Sequence, residues 1–137
     1  MRTVHVTPPS FPDAPENTPL DVIPDKVWQV VCGDADHWRA GIFSPSAACL
    51  EECPELERHT CPELFLLMEG RLTLVLFLRD GEVTALPLEA GRPVFVTAPH
   101  SGFCPDGPHT GRAFVVERDQ FSTDYASREG WARLSLP

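Results

Sequence analysis

Two carboxylates and a histidine lie close together near the middle of the chain, in the stretch ERHTCPE. Glu57 and His59 are two residues apart, so in a β-strand their side chains point to the same face. Glu63 follows Pro62 at the start of the apolar run LFLLM, from where its carboxylate can turn toward the same space. Imidazole and carboxylate groups that converge inside a barrel are ligands for a divalent metal such as Mn, Fe, Ni or Zn.

A further ligand has to come from a later strand. His100 follows Pro99 at the end of an apolar run, and an antiparallel barrel can return it to the first three residues. His109, in the turn-like stretch CPDGPHTG, is the alternative. The competing interpretation of His59 is a surface position, because the stretch LEECPELERH is rich in glutamate and a run of charges is commonly a solvated face.

Two arginines are candidates for binding an anionic substrate. Arg71 and Arg112 each follow a glycine at the start of a predicted strand. An inward arginine at such a position can pair with a carboxylate or phosphate, whereas an outward one is only a surface charge.

Short apolar segments punctuated by turn residues predict strands rather than long helices. The chain contains 15 prolines and 9 glycines, and seven or more short strands at near-regular spacing predict an all-β sandwich or barrel. The segment RLTLVLFL, residues 71–78, is apolar at both odd and even positions, so both faces should be buried. In the following RDGE, Asp80-Gly81 suits a type I′ hairpin turn.

The two ends of the chain differ from this pattern. Residues 1–25 are rich in proline and predict an extended arm, which leaves residues 26–137 as the barrel domain. Near the C-terminus, FSTDYASREGW predicts a short helix with Ser122 as its N-cap and Gly130 as its stop.

Composition excludes several classes of function. The net charge of −9 argues against binding to nucleic acid or to an anionic membrane. The longest apolar run, LFLLM, is too short to span a bilayer, and the N-terminal residues lack the apolar core of a secretory signal, so we expect a cytoplasmic protein. No GxSxG, GxGxxG or P-loop motif occurs.

The residues around the predicted site resemble the first motif of the cupin family, G-x5-H-x-H-x(3,4)-E-x6-G. His59, Glu63 and Gly70 match the second half of this motif in register. The sequence departs from the first half, since Glu57 stands at the first histidine and Glu51 at the first glycine.

The second family motif, G-x5-P-x-G-x2-H-x3-N, is present in shortened form. Gly91 fits its start, and Pro99-His100 resembles its end, although His100 follows Gly91 by nine residues rather than eleven and the final asparagine is missing. The resemblance covers roughly residues 40–118, and the 71–90 segment between the motifs has a length that the family allows.

The resemblance implies an all-β, double-stranded β-helix (jelly-roll) barrel with a metal held by His59, Glu63 and His100. Glu57 would be the fourth ligand or a general base. The implied function is that of a dioxygenase, isomerase or decarboxylase acting on a small molecule with a divalent transition metal. A metal-free sugar-nucleotide isomerase or epimerase and a non-catalytic ligand-binding module are the alternatives. Barrels of this family often pair through an edge strand or an exchanged arm, so a homodimer is predicted.

Overall fold

The computed structural model of this 137-residue protein describes residues 1–79 and 81–134. These residues form eleven β-strands, one short 3-10 turn at Leu50–Glu52 and one α-helix, α1, at Arg128–Leu134. The strands are Arg2–Val6 (β1), Trp28–Asp34 (β2), Trp38–Phe43 (β3), Glu55–His59 (β4), Glu63–Glu69 (β5), Thr73–Phe77 (β6), Val83–Pro87 (β7), Val94–Val96 (β8), His100–Phe103 (β9), Arg112–Arg118 (β10) and Phe121–Ser127 (β11).

The strands form two antiparallel sheets. One sheet has six strands in the order β1-β11-β4-β9-β6-β7, and the other has five in the order β2-β3-β10-β5-β8. Apart from the hairpins β2–β3 and β6–β7, strands that follow each other in the chain alternate between the sheets, which is the arrangement of a jelly roll. The all-β barrel predicted from the sequence is confirmed.

Alternation along the central strands decides which side chains enter the barrel. In β10, Ala113, Val115 and Glu117 are buried, whereas Phe114 and Val116 between them are only partly covered. A carboxylate therefore shares the inward face with two apolar side chains. Because glutamate is rarely buried without a partner, this position points to a polar region inside the barrel.

Strand β6 is buried on both faces, as the apolar pattern of residues 71–78 predicted. Leu74 packs in the core between the sheets, while Val75 and Phe77 pack in a second cluster that includes Trp131 of α1. The Trp131 indole N–H donates a hydrogen bond of 3.0 Å to the carbonyl of Leu56. Helix α1 thereby covers the outer face of the six-stranded sheet.

Replacing Trp131 with alanine is expected to lower the free energy of unfolding by about 3–5 kcal/mol, because it empties the centre of this second cluster. Urea denaturation of the purified variant measures the change. Trp38→Ala is the matched control, since Trp38 is 43% exposed, whereas Trp131 is 2% exposed, and it should have a clearly smaller effect on stability. Equal effects of the two substitutions would contradict a structural role for α1.

The C-terminal helix exists, but its predicted position was partly wrong. Phe121–Ser127 forms strand β11, and the helix begins at Arg128 and includes Gly130. Strand β11 pairs with β1 on one side and β4 on the other, so hydrogen bonding in the sheet outweighs the local helix-capping preference of Ser122.

The predicted hairpin turn joins β6 and β7, which pair in antiparallel register from Thr73–Pro87 to Phe77–Val83. Gly81 has a φ of +82°, a left-handed conformation that glycine adopts easily. Asp80 lies outside the described residues, so the turn type stays a prediction.

The N-terminal residues lie against the barrel. Arg2–Val6 forms β1 and adds an edge strand to the six-stranded sheet by pairing with β11. Further along, Ser10 is anchored by Asp119, whose carboxylate accepts hydrogen bonds from the Ser10 backbone N–H at 2.7 Å and hydroxyl at 2.6 Å. None of the helices in residues 1–79 and 81–134 has the length and apolar character that a membrane span requires.

Candidate metal centre and cavity

Three strands bring the four candidate ligands to one place inside the barrel. Glu57 and His59 lie two residues apart on β4. His100 begins β9 and is directly opposite Glu57 in the β4–β9 pairing. Glu63 begins β5 in the facing sheet, so the site bridges the two sheets.

The two histidines both present Nε2 to Glu63. Glu63 Oε1 lies 2.6 Å from His59 Nε2 and 2.9 Å from His100 Nε2. Glu57 Oε1 lies 3.6 Å and 3.9 Å from the same two nitrogens. The side chains of His59, Glu63 and His100 are 8%, 5% and 5% exposed. That of Glu57 is 36% exposed, so it is the member of the group most open to solvent.

The second nitrogen of each imidazole is held by a neighbouring group. His100 Nδ1 lies 2.9 Å from the carbonyl oxygen of Ala98, which can only accept, so Nδ1 carries the hydrogen. In the neutral ring, Nε2 is then the nitrogen with the free lone pair. His59 Nδ1 lies 2.7 Å from the hydroxyl oxygen of Thr123. Hydrogen bonds of this kind orient histidines that bind metals.

One buried oxygen at the centre of the group faces both imidazoles. Glu63 Oε1 lies against the two Nε2 atoms, so either protons on these nitrogens or a shared cation must satisfy it. Buried carboxylate oxygens normally have partners, and a cation shared with the imidazoles would provide one. Glu57, His59 and His100 also offer ligand atoms that all lie within 4.8 Å of one another. Two nitrogens and two carboxylates are a suitable donor set for Mn, Fe, Ni or Zn. The residues present therefore fit a divalent metal.

Without metal, these groups hold each other in the charged state. Burial alone would lower the pKa of His59, but its interactions with Glu57 and Glu63 outweigh burial and raise the pKa to about 10. Burial by itself would also lower the pKa of His100, but the interactions with Glu63 outweigh it and raise the pKa. Burial would raise the pKa of Glu63, but His100 and His59 lower it to about 2. The metal-free site thus holds His59 as an imidazolium beside the Glu63 carboxylate, and the same carboxylate favours the charged form of His100.

A cavity of about 370 Å³ adjoins the four residues. Its size is within the range of sites for small molecules. Most of its wall is apolar or aromatic, and two of the wall residues come from β1. The principal apolar and aromatic lining residues are Val4, Val6, Trp28, Phe43, Phe65, Phe121 and Tyr125.

Two charged residues in this cavity were not singled out from the sequence. Arg39 on β3 and Glu117 on β10 both line it, with Arg39 Nη2 3.5 Å from Glu117 Oε2 and both side chains at least 90% buried. Burial and repulsion by Glu63 raise the pKa of Glu117 to about 7, against the opposing effect of Arg39. The alternation of GRAFVVER, which gives Glu117 the parity of Ala113 and Val115, was the available signal.

The two arginines proposed from the sequence lie elsewhere. Arg71 forms an exposed ion pair with Asp106, and Arg112 pairs with Glu69 at the end of β5. Neither lines the cavity. His109 is also outside the cavity lining, and its Nδ1 lies 2.8 Å from the carbonyl oxygen of Ser44.

No protein-family model matches this sequence, and no curated protein sequence is significantly similar to it. Comparison of structures does give matches. The Fe(II) form of HppE aligns over 81% of this chain and 66% of its own, with a TM-score of 0.54 and 15% identity. Hydroxypropylphosphonic acid epoxidase from S. wedmorenis aligns over 84% of this chain and 62% of its own, with a TM-score of 0.53 and 13% identity.

A cupin-2 domain protein from Shewanella frigidimarina is a further match, with a TM-score of 0.48 and 17% identity over 66% of this chain and 78% of its own. The chain spans less than two thirds of the length of the epoxidase and of the Fe(II) HppE chain. At these low identities the comparisons concern the fold. Together with the two antiparallel sheets, the matches to HppE and to the epoxidase show the cupin-type jelly-roll fold that the sequence predicted.

Proposed function

We propose that this protein binds a divalent transition metal inside its barrel and acts on a small molecule held in the adjoining cavity. The ligands are His59, Glu63, His100 and Glu57. The observation that carries the proposal is the convergence of two buried Nε2 atoms and two carboxylates, with Glu63 Oε1 at 2.6 and 2.9 Å from the nitrogens and Glu57 Oε1 at 3.6 and 3.9 Å from them. The structural match to an Fe(II) protein supports testing iron first.

When bound, the metal supplies Lewis acidity that polarises an oxygen of the substrate. The chain's own residues bind and orient the substrate. The aromatic wall excludes water from an apolar substrate body. Glu57, the most exposed of the four residues, is either the fourth ligand or the general base that accepts a substrate proton. The reaction class is that of a dioxygenase, isomerase or decarboxylase.

The decisive experiment is the metal content of tag-free protein, measured by plasma mass spectrometry after incubation with Mn, Fe, Ni and Zn. We expect about one metal per chain in the wild type. We expect near-complete loss in His59→Ala, because it removes a buried nitrogen ligand. His109→Ala is the matched control, since His109 does not line the cavity, and it should retain the metal. Wild-type protein without metal after all four incubations would contradict the proposal.

A metal-free binding or acid–base function is the second candidate. It is favoured by the ion pairs of His59 and His100 with Glu63, which balance part of the charge without a cation. Among the described residues that line the cavity, Arg39 is the only arginine or lysine. A nucleotide sugar, with two phosphates, would meet little compensating charge there, so a metal-free protein is better explained as a binding module for small ligands.

We further propose a homodimer that forms through the outer face of the five-stranded sheet. Leu64, Met68 and Phe95 form an exposed apolar patch on β5 and β8, with Phe95 69% exposed and paired in register with Leu64. The chain covers the opposite end of this face itself, where the backbone of Ile23 hydrogen-bonds with the Gln29 side chain on β2. In a dimer with a two-fold axis, the patch of one copy can pack against the same patch of the other copy.

Light scattering on the purified protein tests this assembly. We expect the mass of a dimer, and Phe95→Glu should convert it to a monomer because it places a charge at the centre of the patch. Leu78→Glu, a comparable change at an exposed leucine just after β6, should leave the mass unaltered. A monomeric wild type would remove the proposal. We also propose a cytoplasmic location without nucleic-acid or membrane partners, which the net charge of −9 supports.

A further inference from the structure

The guanidinium of Arg39 is buried but incompletely hydrogen-bonded. Its Nη1 donates to the carbonyl oxygen of Ser10 at 3.0 Å, and its Nη2 reaches Glu117 Oε2 only at 3.5 Å. Its Nε is buried and has no hydrogen-bond partner. Buried arginines normally satisfy their donors, so one edge of this guanidinium has capacity for another acceptor.

The Nε–Nη2 edge of a guanidinium is the one that binds both oxygens of a carboxylate. Elsewhere in this protein, Arg71 uses Nε and Nη2 together to bind the two oxygens of Asp106, at 3.0 and 3.1 Å. The same Nε–Nη2 edge of Arg39 holds only the long contact to Glu117. A planar carboxylate matches this two-donor edge.

Arg39 is also placed to position a ligand against the proposed metal centre. Its guanidinium lies 4.9 Å from the centre of the Phe121 ring, and the imidazole of His59 lies 5.0 Å from the same ring. The arginine and the histidine are therefore separated by no more than the sum of these distances. Phe121 lies against both, and all three residues line the cavity. A short ligand can touch Arg39 with one end and face His59 with the other.

The charges in the cavity favour a monoanion. Four glutamates line the cavity, and one of them, Glu55, is balanced by its ion pair with Arg2 at 3.0 Å. The Glu57, Glu63 and Glu117 carboxylates, Arg39 and a divalent metal then sum to zero if the two histidines are neutral. A carboxylate ligand adds one negative charge, whereas a phosphate adds up to two beside these glutamates. The aromatic wall suits an apolar body between the two polar ends.

We propose that Arg39 binds the carboxylate of a small monocarboxylic acid and directs the other end of that acid toward His59, Glu63 and His100. This inference rests on the proposed function for the role of the second end, but the binding of the acid by Arg39 can be tested separately. Arg39 is a substrate-binding and specificity residue in this scheme. Glu117 competes with the ligand carboxylate for the same edge.

The test is calorimetric binding of butyrate, 2-hydroxyisovalerate and benzoate, each compared with its neutral carboxamide, to zinc-loaded and metal-free protein. For at least one acid we expect a preference of about tenfold or more over its amide, the size expected for a hydrogen-bonded charge pair. In Arg39→Gln this preference should fall to about one. In Glu117→Gln the acid should bind more tightly than in the wild type, because the competing carboxylate is removed.

Two variants guard against misfolding and non-specific effects. The double variant Arg39→Gln/Glu117→Gln removes both members of the buried pair, so it leaves no unpaired charge if the single variant fails to fold. Arg71→Gln removes a surface arginine outside the cavity and should keep the wild-type preference. Acids and amides that bind equally well to the wild type, no binding of any acid, or a preference that survives without Arg39 would each overturn the inference.

Metal content, measured on the same samples, separates the two proposals. A preference for acids that depends on Arg39 in a protein that never takes up metal supports this inference and rejects the proposed function. Metal uptake without any preference for acids supports the proposed function and rejects this inference.

Discussion

Metal affinity is expected to rise with pH by about tenfold or more per pH unit between roughly pH 6 and 8, because at least the His59 proton must leave for each metal bound. In the metal-free protein, Glu63 and Glu57 raise the pKa of His59 to about 10, and Glu63 raises that of His100. His59 is therefore protonated at neutral pH, and the protonated form of His100 is favoured as well. Each must become neutral before its Nε2 can bind a metal.

Competition with a chromophoric chelator at several pH values measures this slope. Calorimetry in buffers of different ionisation enthalpy counts the protons released, and we expect at least one, from His59. The control is His109→Ala, which should leave both results unchanged because His109 lies outside the cavity. An affinity that does not depend on pH would contradict the assignment of the two histidines as ligands.

The same pKa values predict how the stability of the metal-free protein depends on pH. The raised pKa of His59 stabilises the folded state fully below its ordinary value of 6.5, and this contribution is lost as pH rises through about 10. The lowered pKa of Glu63 contributes above its ordinary value of 4.5, and this contribution is lost as pH falls through about 2. The site therefore stabilises the metal-free fold most strongly near pH 4.5–6.5.

The second large effect is expected from Glu63→Gln. Metal affinity should fall by more than about 100-fold, since an amide replaces the carboxylate that lies against both histidines. The metal-free protein should also lose about 3 kcal/mol of unfolding free energy at pH 7, because the buried charges of His59 and His100 lose their closest partner. Chelator competition and urea denaturation measure the two effects.

A matched control lies on the same strand. Glu69→Gln makes the same chemical change at the exposed end of β5, where Glu69 pairs with Arg112, and should cost less than about 1 kcal/mol without affecting metal binding. The cost of Glu63→Gln should shrink above about pH 10, where His59 loses its proton in the wild type. A cost that is independent of pH would assign Glu63 a packing role instead.

The fold was predictable because its determinants are local. The alternation of apolar residues that buries both faces of β6 is visible in residues 71–78, and the cupin motif gave the register of His59 and Glu63. The helix prediction placed its start too early because Ser122 has the local features of an N-cap. Residues 121–127 form a strand because they pair with β1 and β4. These partners are distant in sequence, so a local pattern does not reveal them.

The polar half of the cavity was less predictable. Glu57 and His100 are neighbours only because β4 and β9 pair in one particular register. The sequence analysis weighed Arg71 and Arg112 as inward or surface arginines, and both are paired outside the cavity lining, whereas Arg39 of β3 lines the cavity. A buried charge on an apolar strand, as in Glu117, is informative only once its partner across the sheet is known.

The position of strand β1 at the edge of its sheet affects how small molecules could reach the cavity. It is held by β11 alone, yet Val4 and Val6 form part of the cavity wall. Edge strands with one neighbour open at a lower free energy than strands in the middle of a sheet. We therefore expect the first few residues to exchange their amide hydrogens sooner than β4 or β10. Detachment of this single strand would uncover the cavity while the remaining strands of the barrel stay paired.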